Sequence, residues 1–401
     1  MKVRVMEISK LNKLITPSGT MAISNKARVL REEGKPVIGF GAGEPDFPTP
    51  DYVIKDVQVA AEDPVNHKYS AVAGLDILKD EIVRTSKLYS GINIGQENIV
   101  VSNGGKHAIL TTFMSLLNPG DEVLIPSPYW TTYPEAVKIS GGNPIIVDTE
   151  FDEDFKINTD QLDALKTNKT KVLVWVSPSN PTGVVYTKEE AEKIYSWAFD
   201  NNIWILSDEL YEHLVYEGVT SPSPAQYDKT LKNTIVINGV AKAYSMTGWR
   251  VGWIIANTEV INMAKKIQSH ATSNVSNLSQ IAAYSALKNG LNETDIMKES
   301  FNRRRLYAID KFSQIENVNL IKSTGAFYLF PDISYYCTNG IISGVNNSVD
   351  FCNWLLDEYF IAFVPGEVFG KHGFLRCSYA LSDENLEEGL NRFSKAIKDI
   401  K

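Results

Sequence analysis

Residues 172–213 read VLVWVSPSNPTGVVYTKEEAEKIYSWAFDNNIWILSDELYEH, and this stretch decides the fold class. The apolar run at 172–176 predicts a buried strand, residues 188–200 predict a helix, and the apolar run at 203–207 predicts a second strand. Strands separated by a helix indicate a largely parallel sheet, whose ligands collect at the carboxyl ends of the strands. The motifs SPSNPTG and DELYEH follow these two strands directly, so the sequence predicts a binding site there.

The same alternation continues on both sides of this stretch. We predict further strands at 98–102, 122–126 and 234–238 and a helix at 106–117. After about residue 290 the pattern changes to a charged helix at 297–312, short strands near residues 327, 362 and 374, and a terminal helix from residue 384. The sequence therefore predicts an α/β fold with a mostly parallel central sheet flanked by helices, plus a smaller α+β domain. The predicted segments are an N-terminal arm and small-domain piece (1–45), a large domain (46–295) and a small domain (296–401).

Composition excludes several classes of function. The chain has 401 residues, 43% of them hydrophobic, and a net charge of −8 without a long basic run, so we expect no nucleic-acid partner. The three cysteines, Cys337, Cys352 and Cys377, lack CxxC spacing, and no histidines pair at metal-ligand spacing, so neither disulfides nor a metal site is expected. No run of about 18 apolar residues and no signal peptide are found, which favours the cytoplasm over a membrane.

A glycine-rich turn, SNGGK at 102–106, joins a predicted strand to a predicted helix. The glycines Gly104 and Gly105 let backbone N–H groups approach an anion, and the helix dipole adds to the attraction. Such turns are common, so a purely structural turn is the alternative.

Two polar side chains follow the strands of the opening stretch. Asn180 lies in SPSNPTG, where a plain turn is the alternative. Asp208 follows the run IWIL, and a carboxylate at the mouth of a buried strand is costly unless it meets a cation, such as a protonated pyridine nitrogen. A helix N-cap is the alternative for Asp208.

The stretch GVAKAYSMTGWR at 239–250 follows the strand at 234–238. Lys242 lies among apolar residues, which favour a depressed pKa and a nucleophilic amine that forms imines. A solvated lysine is the alternative. Arg250, eight residues later, offers a second charge for a phosphate.

The order and spacing of these motifs carry a family resemblance. SPxNPTG, then DExY, then KxxxxxGxR is similar to the series found in class I, fold-type I aminotransferases that depend on pyridoxal 5′-phosphate. The resemblance covers nearly the whole chain and includes GAGEPDFPTP (41–50), KYSAVAG (68–74), SPYWTTYP (127–134) and FLRCSYA (374–380). It implies the fold-type I architecture and this cofactor.

The resemblance assigns cofactor roles residue by residue. It implies that Lys242 forms an imine with the cofactor and moves the proton at the substrate Cα, and that Asp208 pairs with the pyridine nitrogen. Asn180 and Tyr211 are expected at the 3′ oxygen. Trp130 is expected to stack on the ring, with core packing as the alternative.

The resemblance also assigns the phosphate and the subunit contact. It implies a phosphate site formed by Gly104, Gly105, Lys106 and Arg250. Tyr69 is expected to reach the phosphate of a neighbouring subunit, which implies a homodimer. Gly239 stands where many relatives carry a serine that touches the phosphate, so that contact is expected to be missing here.

For the substrate, the resemblance implies that Arg376 grips the α-carboxylate through its planar fork, with a surface arginine as the alternative. Gly43 is expected to approach the same carboxylate from a segment that closes over the substrate. Trp130 and Asn180 are expected to border the substrate as well. The nearest subgroup, the bacterial aspartate aminotransferases, implies that a distal carboxylate meets Lys106 and the hydroxyls of PSGT at 17–20, namely Ser18 and Thr20.

The expected reaction is L-aspartate plus 2-oxoglutarate to oxaloacetate plus L-glutamate, by a ping-pong mechanism. The alternatives are a broader aromatic, alanine or kynurenine aminotransferase, a prephenate aminotransferase, a carbon–sulfur lyase, and a non-catalytic regulator. Thr16 stands where prephenate-using members carry a basic residue, so weak prephenate activity at most is expected. A regulator normally carries a DNA-binding domain before this fold, and about 16 residues precede the PSGT segment.

Overall fold

The computed structural model describes residues 8–17, 19–338 and 340–400, without the side chains of residues 20–22. Within those residues the α-helices are α1 Gly19–Glu32, α2 Asp51–Ala61, α3 Asp76–Ser90, α4 Gly105–Leu116, α5 Thr132–Ile139, α6 Thr159–Leu165, α7 Lys188–Asp200, α8 Thr258–Ala271, α9 Asn277–Lys288, α10 Asn292–Ser313, α11 Ser348–Tyr359 and α12 Asp383–Lys398. The strands are β1 Ile38–Gly39, β2 Ile99–Ser102, β3 Glu122–Ser127, β4 Asn143–Asp148, β5 Thr170–Val176, β6 Trp204–Asp208, β7 Thr234–Gly239, β8 Gly252–Ile255, β9 Tyr328–Leu329, β10 Ile361–Ala362, β11 Val364–Pro365 and β12 Leu375–Ser378.

Seven strands form the central sheet, in the order β2-β8-β7-β6-β5-β3-β4. The pairs from β4 through β3, β5 and β6 to β7 are parallel, whereas β8 runs antiparallel to both of its neighbours. The predicted α/β fold with a mostly parallel sheet is confirmed. The opening stretch supplies β5, α7 and β6 at the centre of this sheet.

Helices cover both faces of the sheet because successive strand residues point to opposite sides. In β2, Val100 packs into the apolar cluster formed with α4, α5 and α8, and Val101 packs into the cluster formed with α2, α3 and α9. In β7, Ile235 and Val236 divide in the same way. Burial on both faces explains why these strands read as continuous apolar runs.

The C-terminal part combines a three-stranded antiparallel sheet, β11-β12-β9, with α10, α11 and α12 around an aromatic core. The N-terminal segment joins it, because β1 pairs in parallel with β10. The helix predicted at 297–312 begins earlier, at Asn292, so α10 crosses the predicted boundary at residue 296 and that boundary stays a prediction. No helix among the described residues is long and apolar enough to cross a membrane.

Candidate active site

A cavity of about 400 Å³ opens at the carboxyl ends of the parallel strands. Its lining also includes residues 41–44, which lie between β1 and α2, and residues of the C-terminal part. The structure brings ten of the predicted site residues to this one cavity: Gly43, Gly105, Lys106, Trp130, Asn180, Asp208, Tyr211, Lys242, Arg250 and Arg376.

Lys242 lies in the turn after β7, and its side chain enters the cavity. Its Nζ donates a hydrogen bond to the carbonyl oxygen of Gly43. Burial, together with the nearby charge of Arg376, lowers the pKa of Lys242 to about 8, while Glu44 opposes the change. A substantial neutral fraction therefore exists near neutral pH, as a nucleophilic amine requires.

Asp208 is the last residue of β6 and is buried. Its Oδ2 accepts a 2.7 Å hydrogen bond from the Tyr133 hydroxyl, and its Oδ1 accepts a 3.3 Å bond from the Leu210 amide. Burial raises the pKa of Asp208 to about 6, and these two bonds oppose the shift. Among the described residues no helix begins directly after β6, so the N-cap interpretation is wrong.

Asn180 and Arg376 both line the cavity, where the residues that follow β5 meet the C-terminal part. Arg376, on β12, is 3% exposed and donates 2.9 Å hydrogen bonds from Nη1 to Asn180 Oδ1 and from Nη2 to the Gly41 carbonyl. Its Nε has no hydrogen-bond partner among the described residues. The surface-arginine alternative is therefore wrong.

Tyr211 makes a contact that the sequence did not predict. Its hydroxyl lies 2.8 Å from the hydroxyl of Tyr328, and both side chains are buried. Burial raises the pKa of both phenols, so both keep their protons at neutral pH.

The glycine-rich turn and Arg250 converge at the start of α4. Gly104 precedes the helix with φ +81°, a conformation that favours glycine, and makes no side-chain cap. A Cβ placed on Gly104 would lie 2.6 Å from Nη2 of Arg250. The uncapped helix N-terminus and the guanidinium are thus adjacent, which suits a phosphate.

The glycine at position 239 is explained by the lack of space for a side chain. A Cβ at this position would lie 2.8 Å from the Val251 carbonyl and 2.9 Å from the Gly252 Cα, both backbone atoms of the adjacent antiparallel segment. A serine side chain would require that backbone to shift, which accounts for the glycine without reference to a ligand.

Lys106 lies at the entrance, with its Nζ 5.1 Å from the ring centroid of Trp130. Burial, with the charge of Arg250, lowers the pKa of Lys106. Lys106 also lines a second cavity of about 600 Å³, whose wall includes Thr16 and Pro17. Pro17 and Gly19 of the PSGT segment therefore line the same cavity as the lysine, whereas Ser18 and the side chain of Thr20 lie outside the described residues.

Tyr69 is 91% exposed and takes no part in the lining of the 400 Å³ cavity. That position leaves its side chain available to another subunit. Its predicted role at a neighbouring phosphate stays a prediction.

Comparison with known proteins identifies the family. Residues 35–393 match the family described as aminotransferase class I and II. The chain belongs to this family. An aspartate aminotransferase of Streptomyces avermitilis is 44% identical over 389 residues, which cover 96% of this chain and 95% of that protein. A probable aspartate/prephenate aminotransferase of Aquifex aeolicus is 40% identical over 96% of this chain and 97% of that protein. The structure of a Thermus thermophilus aspartate aminotransferase with maleate matches with a TM-score of 0.92 at 34% identity, over 98% of this chain and all of that one.

Two buried tyrosines of this aminotransferase were missed by sequence reasoning. Tyr133 lies within the motif SPYWTTYP, in the first turn of α5, and its sequence position signalled proximity to Trp130 but not its bond to Asp208. Tyr328 comes from the two-residue strand β9, 117 residues after Tyr211, and no local pattern connects the two.

Proposed function

We propose that this aminotransferase uses pyridoxal 5′-phosphate to transfer the amino group of L-aspartate to 2-oxoglutarate, giving oxaloacetate and L-glutamate in a ping-pong reaction. One observation carries the proposal. The Lys242 amine, the Asp208 carboxylate and the Arg376 guanidinium face a single cavity of about 400 Å³.

The residues around the cavity fit the cofactor. Asp208 is a buried carboxylate that a protonated pyridine nitrogen would pair, and the N-terminus of α4 beside Arg250 suits the phosphate. When bound, the cofactor supplies an aldehyde that condenses with amines and a ring that accepts electrons. The residues that would hold it are Gly104, Gly105, Lys106, Trp130, Asn180, Asp208, Tyr211, Lys242 and Arg250.

Lys242 is the proposed base and acid at the substrate Cα. Its pKa of about 8 allows the amine both to accept and to return a proton near neutral pH. In the protein without cofactor, the hydrogen bond to Gly43 holds Nζ within the cavity. Because Gly43 belongs to the segment after β1, substrate binding would reach this segment directly.

Arg376 is the proposed α-carboxylate site. Asn180 and the Gly41 carbonyl fix the plane of its guanidinium, and the unpaired Nε shows that its hydrogen-bonding capacity is incomplete among the described residues. A carboxylate that meets a buried guanidinium gains strong, directional hydrogen bonds. The closing of residues 41–44 over this site would exclude water and strengthen them.

Lys106 is the proposed determinant for a substrate with a second carboxylate. Its ammonium lies at the entrance, between the two cavities. Maleate, present in the Thermus thermophilus structure, is a four-carbon dicarboxylate like aspartate. Ser18 and Thr20 are proposed to assist through their hydroxyls.

Prephenate is the second candidate substrate, favoured by the name of the Aquifex aeolicus relative and by the 600 Å³ cavity beside Lys106. At the position of the basic residue, this chain carries Thr16, whose backbone amide is bound to Glu135 Oε2 at 3.0 Å. We therefore propose prephenate activity well below the activity with aspartate.

We propose that the active form is a homodimer. Tyr69 is 91% exposed, and Val59 and Val65 beside it in sequence are 70% and 62% exposed. An exposed apolar group of this kind favours burial against a second copy. In that copy Tyr69 would reach the phosphate.

A cytoplasmic location also forms part of the proposal. Cys337, Cys352 and Cys377 are free thiols in the structure. Unpaired cysteines favour a reducing compartment.

A panel of amino acids tested against 2-oxoglutarate, with added cofactor, tests the function. Aspartate should show the highest kcat/KM, and glutamate with oxaloacetate should run the reverse reaction. A preference for aromatic amino acids or alanine would reject the proposed substrate. Release of pyruvate and ammonia without a keto acid would reject the transferase activity itself.

A further inference from the structure

Tyr328 contacts three groups of the candidate site at once. Its hydroxyl lies 2.8 Å from the Tyr211 hydroxyl, and its ring centroid lies 4.5 Å from the guanidinium carbon of Arg376. A Cβ placed on Gly43 would lie 3.7 Å from the same hydroxyl, so residue 43 faces it as well. The side chain is fully buried. Tyr328 therefore joins the predicted cofactor, carboxylate and closure residues.

The backbone around Tyr328 is hydrogen-bonded to the segments around Gly183 and Tyr216. Ser323 Oγ donates to the Tyr328 carbonyl at 3.0 Å, and the amides of Thr324 and Gly325 donate to the Gly183 carbonyl at 3.0 and 2.8 Å. The Tyr216 hydroxyl donates to the carbonyl of Ala326. These bonds fix the backbone from which the Tyr328 side chain extends.

The direction of the hydroxyl pair follows from proton counting. Each phenol carries one proton, and burial raises the pKa of both, so neither is lost at neutral pH. Among the described residues, the hydrogen bond between the two hydroxyls is the one that each of them makes. If the Tyr211 hydroxyl donates its hydrogen bond to a ligand, it can keep the bond to Tyr328 only as the acceptor, with the Tyr328 hydroxyl as the donor.

We propose that Tyr328 is a positioning residue that directs the Tyr211 proton toward the cofactor's 3′ oxygen and supports the Arg376 guanidinium with its ring. This inference rests on the proposed function, because it requires the cofactor in this cavity. The hydroxyl and the ring have separate tasks, and separate substitutions can remove them.

The hydroxyl acts through hydrogen-bond polarisation. A donor that itself accepts a hydrogen bond in a dry site becomes a stronger donor. Donation from Tyr328 thus strengthens the bond from Tyr211 and stabilises the negatively charged form of the 3′ oxygen. The ring acts on Arg376 by stacking, which favours one plane of the guanidinium.

Tyr328→Phe removes the hydroxyl and keeps the ring. In a spectrophotometric pH titration of the visible cofactor band, its midpoint should move to higher pH by about half a unit, because the anionic form loses support. The KM for aspartate should stay within about twofold of wild type, because the ring still supports Arg376.

Tyr328→Leu removes both features. It should show the same displacement of the midpoint and, in addition, a rise in KM for aspartate and 2-oxoglutarate of about 30-fold, the loss expected for a buried cation–π contact. In a Tyr211→Phe background, Tyr328→Phe should add no further displacement, since the polarised chain is already broken.

Tyr379→Phe is the matched control, because that buried hydroxyl donates to the Ala326 carbonyl at 3.1 Å and lies outside the cavity lining. Its midpoint should equal that of wild type. A folded Tyr328→Phe protein with the wild-type midpoint would overturn the inference, as would an additive shift in the Tyr211→Phe background. A wild-type protein that forms no visible band would instead reject the proposed function.

Discussion

The Tyr133 hydroxyl donates a 2.7 Å hydrogen bond to Asp208 Oδ2, and both side chains are buried. The bond lowers the pKa of Asp208, but burial outweighs it and raises the pKa to about 6. Above that pH the cofactor-free protein must hold a charged carboxylate in a poorly solvated place. A bound cation would remove this cost, so the site is prepared for a positive partner.

Asp208→Asn should therefore stabilise the cofactor-free protein at neutral pH. Between pH 3.8, the ordinary pKa of an aspartate side chain, and about 6 the folded wild type holds a proton that the unfolded chain has released, so wild-type stability falls as pH rises through this window. The advantage of the variant should grow across the same window, to at most about 3 kcal/mol. Thermal unfolding from pH 4 to 8 measures it.

The exposed carboxylate of Asp357, paired with Lys26, offers a control as Asp357→Asn. The stability of this control variant relative to wild type should show no comparable rise between pH 4 and 6. With added cofactor, wild type should become more stable than Asp208→Asn, because the protonated pyridine nitrogen then favours the carboxylate. A variant less stable than wild type at pH 8 without cofactor would contradict this account.

Lys242→Ala should abolish the covalent attachment of the cofactor. In wild type the rate at which the visible band forms should rise with pH around a midpoint near 8, because the neutral amine is the nucleophile. Borohydride reduction and peptide mapping should find the cofactor on Lys242. The exposed Lys232, replaced by Ala, serves as the control and should keep the band. A band that persists in Lys242→Ala would assign the attachment elsewhere.

The central strands could be predicted because their burial determines their composition. The predicted strands at 172–176, 203–207 and 234–238 correspond to β5, β6 and β7 within two residues at either end. The strands β4 and β8 were missed, and the antiparallel direction of β8 follows from long-range pairing, which no local pattern carries. The short strands β9 to β12 were located only approximately for the same reason.

The site residues that could be predicted are those that directly follow a strand of the central sheet. Lys242, Asp208 and Asn180 each follow a parallel strand, so the sheet itself brings them together. Tyr133 and Tyr328 were missed because their partners are set by tertiary packing, over 75 and 117 residues of sequence. Their hydrogen bonds link elements that the sequence pattern treats as independent.

Arg376→Leu should raise the KM for both aspartate and 2-oxoglutarate by about 10- to 100-fold, the range expected for charged hydrogen bonds. Arg376→Lys should recover part of the loss, because it keeps the charge without the planar fork. Arg392→Leu, which removes a partly exposed arginine paired with Glu388, is the control and should leave both KM values unchanged. An unaltered KM in Arg376→Leu would place the carboxylate elsewhere.

A substitution of Lys106 tests whether this residue determines substrate specificity or only binds the cofactor phosphate. Its Nζ lies over Trp130 at the entrance, and burial with the charge of Arg250 lowers its pKa, so a nearby anion would be favoured strongly. Lys106→Ala should lower kcat/KM for aspartate about tenfold more than for alanine, because alanine lacks the second carboxylate. Steady-state assays with both donors give this ratio directly.

The matched control is Lys138→Ala, since Lys138 lines the neighbouring cavity but is paired with Glu135 at 2.9 Å. The aspartate-to-alanine ratio should not change in this variant, because its ammonium is already engaged. Equal losses for both donors in Lys106→Ala, together with weaker cofactor affinity, would mean that Lys106 serves the phosphate alone. Specificity would then have to come from the PSGT segment, because Pro17 and Gly19 of that segment line the same cavity.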